Sequence, residues 1–66
     1  MRYTGKQVGL VRIGEGQYRL YDDGTFCVAG EGLAPLPAAR WAHGIGGPIE
    51  YAGKLYYWRI GANVYD

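Results

Sequence analysis

Cys27 and His43 are the one cysteine and the one histidine of this 66-residue chain, and a thiol beside an imidazole is the pairing that makes an activated nucleophile. Such a pair needs a third group to orient the base, and the pattern supplies none. Cys27 falls inside an alternating apolar run, where cysteine behaves as a small buried hydrophobe. His43 falls where a short helix is expected to end, a place that suits a cation. No catalytic residue is therefore assigned.

Asp22 and Asp23 could serve as an acid/base or metal pair. Neighbouring side chains on a strand point to opposite faces, however, and Asp-Asp-Gly is strong turn chemistry. Three Gly-x-Gly elements, at 14–16, 30–32 and 44–46, invite a phosphate cradle. That cradle needs glycines just ahead of a helix N-terminus. Gly44 instead follows the expected helix, and the other two elements enclose Glu15 and Glu31, which repel an anion. Ala34-Pro35-Leu36-Pro37 lacks the three-residue spacing of a polyproline docking ligand and reads as a rigid loop. With one Cys and one His, neither a disulfide nor a structural zinc site is available, and no cofactor or metal is expected.

The remaining chemistry is aromatic. Seven tyrosines and two tryptophans in so short a chain exceed what its interior can hold, and each buried hydroxyl needs a partner. Along the run 54–60, Tyr56, Trp58 and Ile60 share one face, and Leu55, Tyr57 and Arg59 share the other. Assigning the Trp58 face to the core leaves Leu55, Tyr57 and Arg59 outward, joined by Arg19 and Tyr21 of an earlier hairpin. Large rings with arginine are interface composition. Tyrosine also stabilises a thin sheet through cross-strand pairs, so both readings fit these five residues.

The elements that position them are short strands. Gln17–Tyr21 and Thr25–Val28 flank Asp22-Asp23-Gly24, a three-residue hairpin loop that sets Leu20 against Phe26 and Tyr18 against Val28. Upstream, 8–13 forms a third strand. A two-residue loop at Glu15-Gly16 sets Ile13 against Tyr18 and Val11 against Leu20, and a three-residue loop flips every side chain. Pro37 followed by Gly44 brackets a helix of one or two turns over 37–43 with Trp41 toward the sheet. A hairpin about Ala52-Gly53 follows, and a last turn at 61–63 leads into Val64-Tyr65-Asp66.

The expected fold is thus a single mainly β domain over 1–66, with five or six antiparallel strands in a meander or small barrel. One short helix near residues 37–43 would make it a small α+β fold. Val11, Ile13, Leu20, Phe26, Val28, Trp41, Trp58 and Ile60 are its expected core. Twelve glycines, two lysines and ten aromatic residues are the composition of strands and tight turns rather than helices.

Composition also bounds the function. A net charge of +1 lacks the basic footprint of a duplex-DNA binder and the acidity of a DNA mimic. No apolar run approaches the roughly 20 residues of a membrane span. Met1–Gln7 carries charge without a hydrophobic stretch behind it, so no signal peptide is expected and the cytoplasm is the expected compartment. A pocket for an enzyme or small-ligand binder would have to form around Trp41 and Trp58, and no activated nucleophile accompanies it.

The expectation is a non-enzymatic module that binds another protein or assembles with itself as a homodimer, through a Tyr/Trp/Arg sheet face. By fold-level analogy alone, small β proteins of this sort act as phage or mobile-element inhibitors of host proteins. The alternative is a small barrel that binds single-stranded nucleic acid, stacking bases on Tyr57 while Arg12, Arg19 and Arg59 follow the backbone. Glu15, Glu31 and Glu50, scattered through the same segments, weigh against it.

Overall fold

Alternating apolar residues broken by Gly-containing turns give six strands, which a computed structural model places in one curled sheet; it describes residues 3–30, 34–36 and 38–60. The strands are β1 (Gln7–Ile13), β2 (Gly16–Tyr21), β3 (Thr25–Val28), β4 (Arg40–Trp41), β5 (Ile49–Tyr51) and β6 (Lys54–Trp58). Their order in the sheet is β1-β2-β3-β6-β5-β4. Two antiparallel three-stranded meanders are therefore joined edge to edge by a parallel β3–β6 pairing, with Thr25 opposite Tyr57 and Phe26 opposite Trp58. The sheet curls into a half-barrel. At its far edge a parallel bridge joins Val11 to Leu36, whose N–H donates to the Leu10 carbonyl, so this stretch of β1 is not left open.

The expected β2–β3 hairpin forms with the expected register, Leu20 opposite Phe26 and Tyr18 opposite Val28. The β1–β2 register is different. Ile13 pairs with Gly16 and Val11 with Tyr18, so the loop is Gly14-Glu15, one residue earlier than expected. Gly14 adopts a φ of 62°, the conformation that a II′ hairpin turn requires at its first central residue. The pairing shift is even, so Val11 and Ile13 still face the core. A bulge between Gln7 and Gly9 then re-aims the start of the strand.

The expected helix at 37–43 does not form over its described residues, 38–43. Arg40 and Trp41 are extended and pair with Glu50 and Ile49, and an Arg40–Glu50 ion pair fixes the register. Ala38 has a φ of 71°, outside the helical region. A one- or two-turn helix has no stability of its own. The strand gives Trp41 the same apolar contact while also pairing its backbone.

The β5–β6 hairpin turns at Ala52-Gly53, as expected, with Tyr51 opposite Lys54. Ala52 and Gly53 both adopt positive φ, 54° and 77°, the I′ pattern that favours Asn-Gly. Alanine is strained there. Ala52→Asn should stabilise the domain by about 0.5–1 kcal/mol, the usual size of such a backbone effect. That raises the melting temperature by roughly 3–6 °C; a melting temperature that does not rise argues that this turn is relaxed in solution.

Val11, Leu20, Phe26, Ile49 and Tyr56 form the buried core, with Ile13, Tyr18, Trp41 and Tyr51 packed around it. Val28, Trp58 and Ile60, expected inside, are exposed. Among the described residues no strand covers them, and Ile49 and Tyr56 fill the interior instead. The expected turn at 61–63 and the strand at 64–66 lie outside the described residues.

Candidate functional site

Of the five residues expected on an outward binding face, the structure keeps two at the surface. Tyr57 is 55% exposed and Leu55 is 38% exposed. Arg19 is half-buried, Tyr21 is buried, and Arg59 is only 1% exposed. The covering piece is the chain that enters β1. Lys6 and Asp22 exchange hydrogen bonds, Lys6 N–H to Asp22 Oδ1 and Asp22 N–H to the Lys6 carbonyl, both at 2.9 Å. This tie brings Tyr3 across the end of β6, where its hydroxyl accepts from the Ile60 N–H at 2.7 Å.

Arg59 is enclosed as a result. Its guanidinium carbon lies 3.4 Å from the centre of the Tyr21 ring and 4.7 Å from that of Tyr3. Nε donates to Thr25 Oγ1 at 2.7 Å, and Nη2 lies 3.7 Å from Asp23 Oδ2. Arg59 and Tyr21, expected to face outward, are thus packed inside this enclosure.

Asp23 completes this cluster. Burial alone pushes its carboxyl up, but the Thr25 hydroxyl, the Arg59 charge and the N–H groups of Thr25 and Gly5 outweigh burial and hold it below the ordinary 3.8. A folded value below the unfolded one means that ionised Asp23 stabilises the fold above the unfolded value. That contribution is lost as pH falls through the folded value. Asp23→Asn should therefore flatten the acid side of the stability profile from about pH 4 downward. An acid unfolding midpoint unchanged by the substitution would show that other carboxylates set it.

Cys27 is buried, its thiol donating to the Tyr21 hydroxyl at 3.6 Å, whereas His43 is exposed in the loop after β4. Burial first, and then the Cys27 contact, push the Tyr21 hydroxyl above its ordinary 10.0 against the opposing pull of Arg19. Among the described residues, no three His, Cys, Asp or Glu side chains gather closely enough to hold a metal ion.

The surface that remains is on the other face. Tyr18, Phe26, Trp41 and Trp58 meet edge to face, with ring centres 5.1–6.1 Å apart. Beside them lie Val28 and Ile45, and together they line a cleft of about 390 Å³. Four strands position it: β2 supplies Tyr18, β3 supplies Phe26 and Val28, β4 supplies Trp41, and parallel pairing brings Trp58 of β6 opposite Phe26.

Ile45 comes from a tight turn in which the Gly47 N–H donates to the Gly44 carbonyl. Gly46 takes a φ of 91° at the third position of that turn, which only glycine adopts readily. The Ile45 side chain is consequently held at the cleft while 91% exposed. The sequence placed a pocket for an enzyme or small-ligand binder around Trp41 and Trp58, but assigned Trp58 to the core. The structure has both rings lining the cleft, with Trp58 exposed at its rim. The signal that could have revealed it was Ile45, a large aliphatic residue set between glycines.

Comparison of the chain with protein-family models, with curated proteins and with solved structures found no match.

Proposed function

We propose that this protein is a small non-enzymatic interaction module that binds another protein through the aromatic cleft. One observation carries the reading: Val28, Ile45 and Trp58 stand exposed side by side against a packed wall of Tyr18, Phe26 and Trp41. A soluble domain rarely leaves aliphatic and aromatic side chains in such a depression unless something covers them. Rings backed by rigid packing lose little freedom on contact, which is why binding energy concentrates on them.

Bases could stack on the same rings, but no residue lining the cleft carries a charge to follow a phosphate backbone. The proposed surface therefore differs from the outer sheet face, of which Leu55 and Tyr57 remain accessible.

The test is recovery of a tagged domain and its partners from lysate, with nuclease and at high salt, comparing variants. Wild type and Tyr57→Ala should retain the same protein, and Ile45→Ser and Trp58→Ala should lose it. Retention by both cleft variants would move the contact elsewhere. Recovery of nucleic acid only, released by salt, would favour the single-strand reading.

A further inference from the structure

Residues 3–6 lie outside the sheet, reach across the end of β6, and bury none of their side chains. Tyr3 stands apart from the apolar core, so this segment is held by polar contacts and one ring face. Lys6 and Asp22 exchange two hydrogen bonds, and the Ile60 N–H donates to Tyr3 Oη. The Tyr3 ring lies against Arg59, and the Gly5 N–H donates to the Asp23 carboxylate. The approach at Gly5 is close, since a Cβ there would come within 2.5 Å of Asp23 Cγ.

What lies beneath decides how firmly such a segment sits. Lifting it from an apolar core would expose hydrocarbon to water at full cost. Here it covers a guanidinium that is 1% exposed, and lifting it hydrates a charge, which offsets much of the lost contact. Arg59 meanwhile keeps the Tyr21 ring, Thr25 Oγ1 and its own N–H bond to the Phe26 carbonyl, all of which belong to β2 and β3. The segment is therefore rooted more weakly than the sheet it crosses.

We propose that residues 3–6 are a strap that opens as one unit while the sheet stays folded, converting Arg59 and Tyr21 from buried to accessible side chains. Alternation along the end of β6 puts Arg59 on the side of Leu55 and Tyr57, and Tyr57 is already exposed. The open form thus presents Tyr21, Tyr57 and Arg59 on the outer face of the sheet, and the closed form withholds two of the three. This device is separate from the aromatic cleft on the other face.

Asp23 is the pin of the strap. Its carboxylate takes the Gly5 N–H from the strap, the Thr25 hydroxyl from β3 and the Arg59 charge from the end of β6, which together hold it below the ordinary 3.8 in the closed form. The other charged groups around the strap are Lys6, Asp22 and Lys54, whose Nζ donates to the Asp22 carbonyl. Tyr3 and Tyr21 are its titratable rings, with Arg19 and Cys27 at the Tyr21 hydroxyl. Opening removes the Gly5 N–H and lets water screen Arg59, so the open form binds a proton at Asp23 more readily. The strap equilibrium is consequently flat at neutral pH and shifts toward the open form as the pH falls below about 4.

Native-state hydrogen exchange followed by NMR tests this. The strap makes the bonds of the Lys6, Asp22 and Ile60 amides, whereas the Tyr57 and Arg59 amides donate to the Gly24 and Phe26 carbonyls. The first three should share one opening constant within about threefold, at least about tenfold above that of the other two and insensitive to low urea. Tyr3→Ala should speed exchange at Lys6 and Asp22 as well as at Ile60, although Tyr3 bonds to neither, and leave Tyr57 and Arg59 protected. The same variant should raise labelling of Arg59 by an arginine-selective dicarbonyl toward that of the exposed Arg12. Protection of Ile60 relative to Arg59 should fall between about pH 6 and about pH 3, and Asp23→Asn should abolish that fall.

Exchange of Ile60 with the rate and urea slope of Tyr57 would make the segment part of the global fold and overturn the strap. So would a Tyr3→Ala variant that frees Ile60 alone, which is the fraying of one bond, or one that loses as much thermal stability as Arg59→Ala. A protection ratio unchanged by acid would overturn Asp23 as the pin.

Discussion

Arg59→Ala should unfold the domain or lower its melting temperature by about 15 °C or more. The guanidinium is 1% exposed and packed between the rings of Tyr21 and Tyr3, with Nε bonded to Thr25. Truncation removes two cation–π contacts and a partly buried hydrogen bond, and it leaves a void against both rings. Truncating a large, fully buried side chain typically costs about 3–5 kcal/mol, comparable to the whole stability that a core of this size supplies. At roughly 4–8 °C per kcal/mol for a domain this small, the shift is large.

Two further variants separate the causes. Arg59→Lys keeps the charge but loses the flat stacking surface and the fixed fork, so it should fall between wild type and alanine. Arg59→Met keeps most of the volume and removes the charge. Asp23, whose side chain is 29% exposed, can then be solvated, so methionine should damage the fold less than alanine does. Thermal and urea unfolding followed by circular dichroism measures all three. A melting temperature for Arg59→Ala within about 2 °C of wild type, less than 1 kcal/mol on the same scale, would show that the enclosure is not formed in solution.

This cluster also shows where sequence reasoning stops. Arginine is among the residue types least often buried, so the outer face is its default assignment. What overturns the default is a contact between chain ends: Tyr3 reaches Arg59 across most of the sequence, and no periodicity encodes it. The surplus of tyrosines was the available clue, because rings that exceed the room in one core need a second place to pack. The β2–β3 and β5–β6 hairpins were legible for the opposite reason. Asp22-Asp23-Gly24 and Ala52-Gly53 determine local turn geometry, and alternation on either side carries it into register.

The parallel β3–β6 pairing was not legible. It joins residues more than 30 positions apart, and neither strand carries a mark of its parallel partner. That pairing sets Trp58 opposite Phe26 and leaves it exposed among the described residues, which converts an expected core residue into the rim of the cleft. The helix expected at 37–43 failed because Pro and Gly punctuation marks an interruption of strand structure without saying what fills it. Ile49, waiting for a partner across the sheet, decided for a strand.

The second large effect divides folding from binding within the aromatic cluster. Phe26 is fully buried at its centre, with Tyr18, Trp41 and Trp58 all edge to face against it. Phe26→Ala should cost about 3–5 kcal/mol, the transfer loss plus the cavity that three rigid rings cannot collapse into. The domain should be largely unfolded as a result. Phe26→Leu, which keeps most of the volume, should cost under about 1.5 kcal/mol.

Trp58 is 43% exposed and touches the cluster with one edge, so Trp58→Ala should cost only about 1–2 kcal/mol. Partner binding should nevertheless be lost, because a truncated rim ring removes contact area from the cleft itself. Denaturant midpoints at constant m-value rank the three variants. If Trp58→Ala proved more destabilising than Phe26→Ala, the end of β6 would be turned inward as simple alternation suggests, and the cleft would be filled by its own chain. With the expected ranking, the ring that organises the core and the exposed ring proposed to meet a partner are neighbours on paired strands, so substitution at Trp58 tests the proposed contact while the core stays intact.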